Sequence, residues 1–265
     1  ISITLTGNDG DADVVQTLTY EISTTPARGT LTMTAPDVFS YLPAANFNGT
    51  DTFTFRVRDN GTNPANLLSA DATVTITVNP LNDAPQFTIG QPLNVLEDSG
   101  PQTVIAWASG IRPGPISATD EAGQIVSFTT SNSNSSLFLA SGQPSVSSSG
   151  TLTFTPAPNA VGQAVLTVIA TDSGSGVSPH VNASVPQTVT LTVTGVNDAP
   201  QFIKGPNQST NEDGGLQVVP NWASNIAPGP VQAIDEANQS LQFVVNFVTT
   251  GNLAFEAGFE PKIST

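Results

Sequence analysis

The chain of 265 residues carries 21 acidic and 6 basic side chains, a formal net charge of −15, with one histidine and no cysteine. This balance excludes nucleic acid and anionic lipid as attractive partners, and it removes disulfides, thiolate metal sites and any two-histidine centre. With 22 Gly, 21 Pro and few aromatics the chain reads as short strands broken by turns, and no apolar run is long enough to span a membrane.

In chain order, Leu31 and Met33 alternate with threonine, and Phe39 and Tyr41 follow after a short break. Pro43 and the Asn46–Gly49 stretch read as a turn. Phe53, Phe55 and Val57, then Val74, Ile76 and Val78, recur with period two and predict half-buried strands with Thr or Arg facing outward. The string NDAPQF at Asn82–Phe87 returns at Asn197–Phe202, 115 residues later. It heads a gapless duplication of Asn82–Phe128 onto Asn197–Phe243, with 25 of 47 positions identical. That period suits one sandwich domain and is too long for a solenoid repeat.

The second unit continues with strand-like segments at Leu152–Phe154, Val165–Ile169 and Val189–Val193, with a turn at Pro156–Gly162. The third copies the second through Phe243 and stops before the counterparts of those strands, so exposed sheet edges and apolar surface are expected there. No segment shows apolar residues at helical spacing. The fold class expected is all-β, as tandem antiparallel Greek-key sandwiches. Residues 1–80 would form a repeat lacking its first strand, 81–195 a complete repeat, and 196–265 a C-terminally truncated copy of the second.

The acids gather at turns. Asp9, Asp11 and Asp13 alternate, while Asp120-Glu121 and Asp235-Glu236 hold the equivalent place in the later units. Asp59 and Asp172 follow apolar strands and precede a glycine, Asp83 and Asp198 sit in the junction strings, and Glu97-Asp98 and Glu212-Asp213 lie beyond them. Turn-forming Asp and Asn capping their own backbone produce part of this pattern. Its recurrence at three turns of each unit, beside an Asn-Asp-Ala-Pro junction, points to calcium, which takes six to eight oxygen ligands. His180 is the only histidine, so no Ser-His-Asp triad can recur with the units, and it is expected in a polar loop. Trp107 and Trp222 hold equivalent positions, either as packing at the sandwich wall or as stacking surface for sugar. Paired carboxylates recur once per unit and line no single cleft, so no enzyme is expected.

Glu97-Asp98, Ala118-Thr119-Asp120, Ala170-Thr171-Asp172-Ser173-Gly174 and Val196-Asn197-Asp198-Ala199-Pro200, in that order, resemble the cadherin pattern. The resemblance is closest to bacterial cadherin-like tandem repeats of large surface adhesins, and Asn46-Phe-Asn-Gly-Thr-Asp51 with Arg58-Asp59 is similar to that bacterial type. It implies Ig-like or cadherin-like Greek-key β-sandwiches in a linear array, stiffened by interdomain Ca2+. The implied ligands are Asn82, Asp83, Asp120 and Asp172 at the first junction, and Glu97, Asn197, Asp198 and Asp235 at the second. Asp9, Asp11 and Asp59 would serve a site shared with a domain before Ile1. The cadherin Asp-Arg-Glu motif is absent, and the second Asp of Asp-x-Asp is replaced by Ala122 and Ala237, so about one ion per junction is expected. The implied function is a calcium-dependent structural or adhesive repeat region of a large bacterial secreted or cell-surface protein. Its partners would be neighbouring repeats of the same chain and a cell-surface or matrix polysaccharide or protein. The alternative is a carbohydrate-binding or spacer module of a secreted enzyme.

Overall fold

The computed structural model describes residues 1–10, 16–62, 67–250 and 261–263. The first strands are β1 (Ser2–Thr4), β2 (Thr19–Thr24), β3 (Gly29–Ala35), β4 (Val38–Pro43), β5 (Gly49–Arg58) and β6 (Ala72–Val78). The chain then supplies β7 (Gln86–Thr88), β8 (Leu93–Leu96), β9 (Gln102–Val104), β10 (Ser109–Arg112) and β11 (Val126–Asn132). It continues with β12 (Ser145–Val146), β13 (Leu152–Phe154), β14 (Gly162–Asp172) and β15 (Gln187–Thr194), and β16 (Gln201–Ile203) and β17 (Ser224–Ala227) follow. Helix among the described residues is confined to short 3₁₀ turns, including Thr119–Glu121 and Ile234–Glu236. The protein is all-β. It folds as two compact units: Ile1–Thr88 with Gly110–Phe128 and Ile169–Val185, and Ile89–Ser109 with Thr129–Val168 and Pro186–Thr265.

In the first unit two three-stranded sheets, β1-β4-β3 and β2-β5-β6, face each other. Strand β5 shows why. Asp51, Phe53 and Phe55 are buried and fall on one face, because side chains alternate across a strand. The opposite face carries threonines, and Thr50, Thr52 and Thr54 stand directly across from Thr77, Thr75 and Thr73 of β6. The core joins Leu5, Phe39, Tyr41, Phe53, Phe55 and Ile76. Burying each of the larger side chains is worth about 1.5–3 kcal/mol.

An acid belongs to this core. Asp51 is 4 % exposed and accepts hydrogen bonds from Ala27 N (3.0 Å), Arg28 N (2.8 Å), Thr52 N (2.9 Å) and Tyr41 Oη (2.9 Å). Burial alone would raise its carboxyl, but these bonds outweigh burial and hold it below the usual value. Burial, then the bond to Asp51, pushes the Tyr41 hydroxyl up to about 12. Gly29 lies against the Tyr41 ring, where a Cβ would collide with it. The carboxylate thus ties the β2–β3 turn to β4 and β5. The same unit includes the β7–β10 pair and an edge-to-face contact of Phe87 with Phe128, centroids 5.1 Å apart.

In the second unit β14 pairs antiparallel with β15, from Gly162 opposite Val193 to Val168 opposite Gln187. Strand β15 then pairs with β8 in parallel, Leu191 beside Leu93 through Thr194 beside Leu96. This departs from the antiparallel sandwich expected. Strands β8 and β15 lie about a hundred residues apart in the chain, so no hairpin joins them and their directions are free to agree. Leu152, Leu166, Val168, Leu191 and Val193 are buried here, and Phe138 meets Phe154 edge-on at 5.8 Å. Trp107 is 6 % exposed, closes over Gly90, and donates from Nε1 to the Gln91 carbonyl (3.2 Å).

The duplicated segment 197–243 keeps the ring geometry of 82–128, with Phe202 and Phe243 centroids 5.3 Å apart. Its packing differs: Phe202 is 51 % exposed where Phe87 is 8 %. Leu216, Val218, Val244 and Val248 are also largely exposed, so the apolar surface expected there is present.

Candidate metal centre at the repeat junctions

Pro80 and Pro85 bracket the first junction string, and proline favours extended backbone outside any ladder. Two of the backbone N–H groups between them are taken by side chains. Asn82 N donates to His180 Nδ1 (2.9 Å), and Asp83 N donates to Glu121 Oε1. The Asn82 side chain is itself a knot. Its Nδ2 donates to Val181 O (2.7 Å) and Asp172 Oδ1 (3.1 Å), while Oδ1 accepts from Gln124 Nε2 (2.6 Å). Val181 N returns a bond to Asn82 O (2.8 Å), and Gly174 leaves the room that the Asn82 amide fills. Asp172 Oδ1 also accepts from Gly174 N (2.8 Å), an Asx turn.

Asp83 is half-buried and Asp120 exposed, and both line a cavity of about 280 Å3 with Asn46, Asn48 and Asn79. Glu121 is 1 % exposed, and Gly114 packs against its carboxylate so closely that a Cβ there would overlap it. Burial raises the Glu121 carboxyl, the Asp83 N–H bond opposes this, and the charges of Asp83, Asp120 and Asp172 raise it further. Glu121 Oε2 and Asp172 Oδ2 are buried without a hydrogen-bond partner. The structure hydrogen-bonds Asn82 to Asp172 and sets Asp83 and Asp120 on one cavity. It adds Glu121, His180 and Gln124.

The second junction repeats half of this arrangement. Asp198 N donates to Glu236 Oε1, Glu236 is 1 % exposed, and Gly229 packs against its carboxylate. Asn197 is exposed, accepting from Gln239 Nε2 (3.0 Å) and donating to Asp198 O (3.1 Å). Glu97 arrives from the end of β8, is 1 % exposed, and accepts from Val196 N (2.8 Å). Burial raises its carboxyl, Val196 N–H lowers it, and Asp235, Asp98 and Asp198 raise it. Burial, Glu236, Asp98 and Asp235 likewise raise Asp198. Asp235 is exposed and points its carboxylate at Gly195. Glu97 Oε2, Asp198 Oδ2 and Glu236 Oε2 are buried without a hydrogen-bond partner.

At the far end of the first sandwich, Asp59 Oδ1 accepts from Gly61 N (3.1 Å) and Leu67 N (3.0 Å), closing its own turn. Asp9 is half-buried and accepts from Gln16 N (3.4 Å). Asp11 lies outside the described residues. Among the described residues, no three acidic, histidine or cysteine side chains converge as a ready-made metal cluster. A cation at either junction would draw part of its shell from amide and carbonyl oxygens and water. The unpartnered oxygens are hard anionic donors of the kind calcium selects, and in this respect the residues fit the ion.

Glu121 and Glu236 were not among the ligands read from the sequence. The signal available was their pairing with Gly114 and Gly229 at identical spacing in both repeats. His180 meets Asn82 across a long loop, and no local signal gives that contact.

Residues 1–80 match the family model described as bacterial cadherin-like domain. Among solved structures the chain is similar to human protocadherin-24 EC1-2, at 17 % identity and TM-score 0.49, covering 72 % of this chain and 88 % of that one. It is also similar to mouse protocadherin-24 EC1-3, at 13 % identity and TM-score 0.40, covering 67 % and 58 %. An endo-fucoidan hydrolase of glycoside hydrolase family 107 matches at 18 % identity and TM-score 0.28, and this chain spans 68 % of itself and 24 % of that enzyme. No curated protein matches the sequence. Among the described residues no helix is long and apolar enough to cross a membrane. The chain is an all-β protein whose residues 1–80 match the bacterial cadherin-like domain, a match that suggests a structural or adhesive repeat module.

Proposed function

We propose that the chain is a calcium-dependent structural or adhesive repeat region of a bacterial secreted or cell-surface protein, with repeats at 1–80, 81–195 and 196–265. The observation that carries this reading is the set of buried, unpartnered carboxylate oxygens recurring at both junction strings. Every charged group that shifts Glu121 or Glu97 is another acid, so the ionised forms repel one another. A divalent cation offsets that repulsion and ties the linker to the following repeat. Asp83, Asp120 and Asp172 would hold the ion at the first junction, with Asn82 fixing the linker beside it. Glu97, Asp198 and Asp235 would do so at the second, with Asn197 beside them. Asp9, Asp11 and Asp59 would serve a further site at the opposite end of the first repeat.

An extracellular calcium module binds in the range of roughly 10⁻⁴ M, and tenfold excess of ion then adds about 1.4 kcal/mol per site. Thermal unfolding in millimolar calcium and in excess chelator tests this. The transition should move up by several degrees with calcium, and superposable curves would sink the proposal. A carbohydrate-binding reading needs exposed stacking rings; Trp107 is buried against Gly90, and Trp222 is half-buried against Gly205.

A further inference from the structure

We infer that Glu121 and Glu236 are themselves cation ligands, each offering Oε2 to the ion while Oε1 holds the linker amide. This rests on the calcium reading above and extends its donor set beyond the residues implied by the cadherin resemblance. The two glutamates are equivalent positions of the duplication, and both are 1 % exposed. In each, Oε1 accepts from the backbone N–H of the junction aspartate, Asp83 or Asp198. In each, Oε2 is buried with no hydrogen-bond partner. Gly114 and Gly229, both buried, provide the space that Oε2 fills on one side, leaving its other side for the ion. The same arrangement built twice, from sequences that diverge at almost half of their aligned positions, is a specified feature rather than an accident of packing.

The chemistry narrows what fits. An ionised carboxylate with one buried oxygen left over lacks a donor, and a protonated one would lack an acceptor for its hydroxyl. A cation satisfies that oxygen in its anionic form. The charges of Asp83, Asp120 and Asp172 act on Glu121, and Asp198 is hydrogen-bonded to Glu236, so the local field also favours positive charge. An ordered water is the rival occupant, and it would leave calcium binding independent of these side chains.

Titration calorimetry of calcium chloride into the chelator-treated full chain tests the assignment, comparing wild type with Glu121→Gln, Glu236→Gln and the double variant. Glutamine keeps the oxygen that accepts from the linker amide but removes the anionic ligand, so latching and ligation separate. The expected result is that each single variant loses one bound ion, or weakens one site at least tenfold, and the double variant loses both. If wild type binds calcium and the variants match its affinity and stoichiometry, the glutamates only latch the linker, and this assignment fails while the calcium reading stands. If wild type binds none, both fall. Circular dichroism without calcium confirms folding, and Glu236→Gln carries the test if Glu121→Gln does not fold.

Discussion

Asp51 and Glu121 are both buried carboxylates that fasten a turn, yet Asp51 accepts four hydrogen bonds and Glu121 a single one. The first carboxyl lies below its ordinary value and the second above. A fully satisfied acid holds the fold, because its donors would be orphaned without it. A half-satisfied acid costs stability while ionised, and retaining it in both repeats points to something it receives from outside. The two junctions differ in a parallel way. Asn82 is enclosed by His180, Val181 and Asp172, whereas no described segment closes over Asn197 in that manner. The same linker string is therefore not sufficient to make a closed junction; a distant loop completes it.

The largest expected effect is at Asp51. Asp51→Ala leaves Ala27 N, Arg28 N and Tyr41 Oη unpaired and should cost about 3 kcal/mol in urea unfolding. Glu121→Gln in chelator should change stability by less than about 0.5 kcal/mol, or increase it. Equal losses in the two variants would erase the contrast between these acids. Next, Asn82→Ala should cost about 1–3 kcal/mol through unsatisfied partners, and Asn197→Ala no more than about 0.5 kcal/mol. Amide exchange near each linker gives an independent measure of that difference. Tyr41→Phe should cost about 1 kcal/mol, the net worth of one buried hydrogen bond.

The pH dependence should be the gentlest effect, with opposite signs in the two places. Asp51 is held low, so its contribution is complete above the ordinary value of 3.8 and is lost as pH falls through its depressed value. Glu121 and Glu97 are held high, so their ionised forms penalise the fold at neutral pH, and acidification toward the ordinary 4.5 relieves this. Melting in chelator should therefore rise or stay level on mild acidification and then fall. A monotonic fall from neutrality would mean that the junction carboxylates carry no such penalty.

Much of this was legible in the sequence. Strands β3 to β6 and β13 to β15 were announced by period-two alternation, and the junctions by the doubled NDAPQF string. Asp51 was legible in principle, since it stands in phase with Phe53 and Phe55 on the inward face. The choice between Asp120 and Glu121 was not. A single 3₁₀ turn puts Glu121 inside and Asp120 outside, and a turn of that length has no periodicity from which to read its phase. The parallel β8–β15 pairing and the His180–Asn82 bond escaped for another reason: both join segments about a hundred residues apart, where local patterns are silent.

The β8–β15 ladder also has a mechanical meaning. Strand β8 is entered from the N-terminal side of the repeat, and β15 leads out toward the next linker. Tension drawn through the backbone pulls these parallel neighbours along their length in opposite directions. Four adjacent rungs, from Leu191 beside Leu93 to Thr194 beside Leu96, then share the load in shear instead of opening one after another like a zipper. Glu97, one residue beyond the last rung, anchors that stressed corner to Val196.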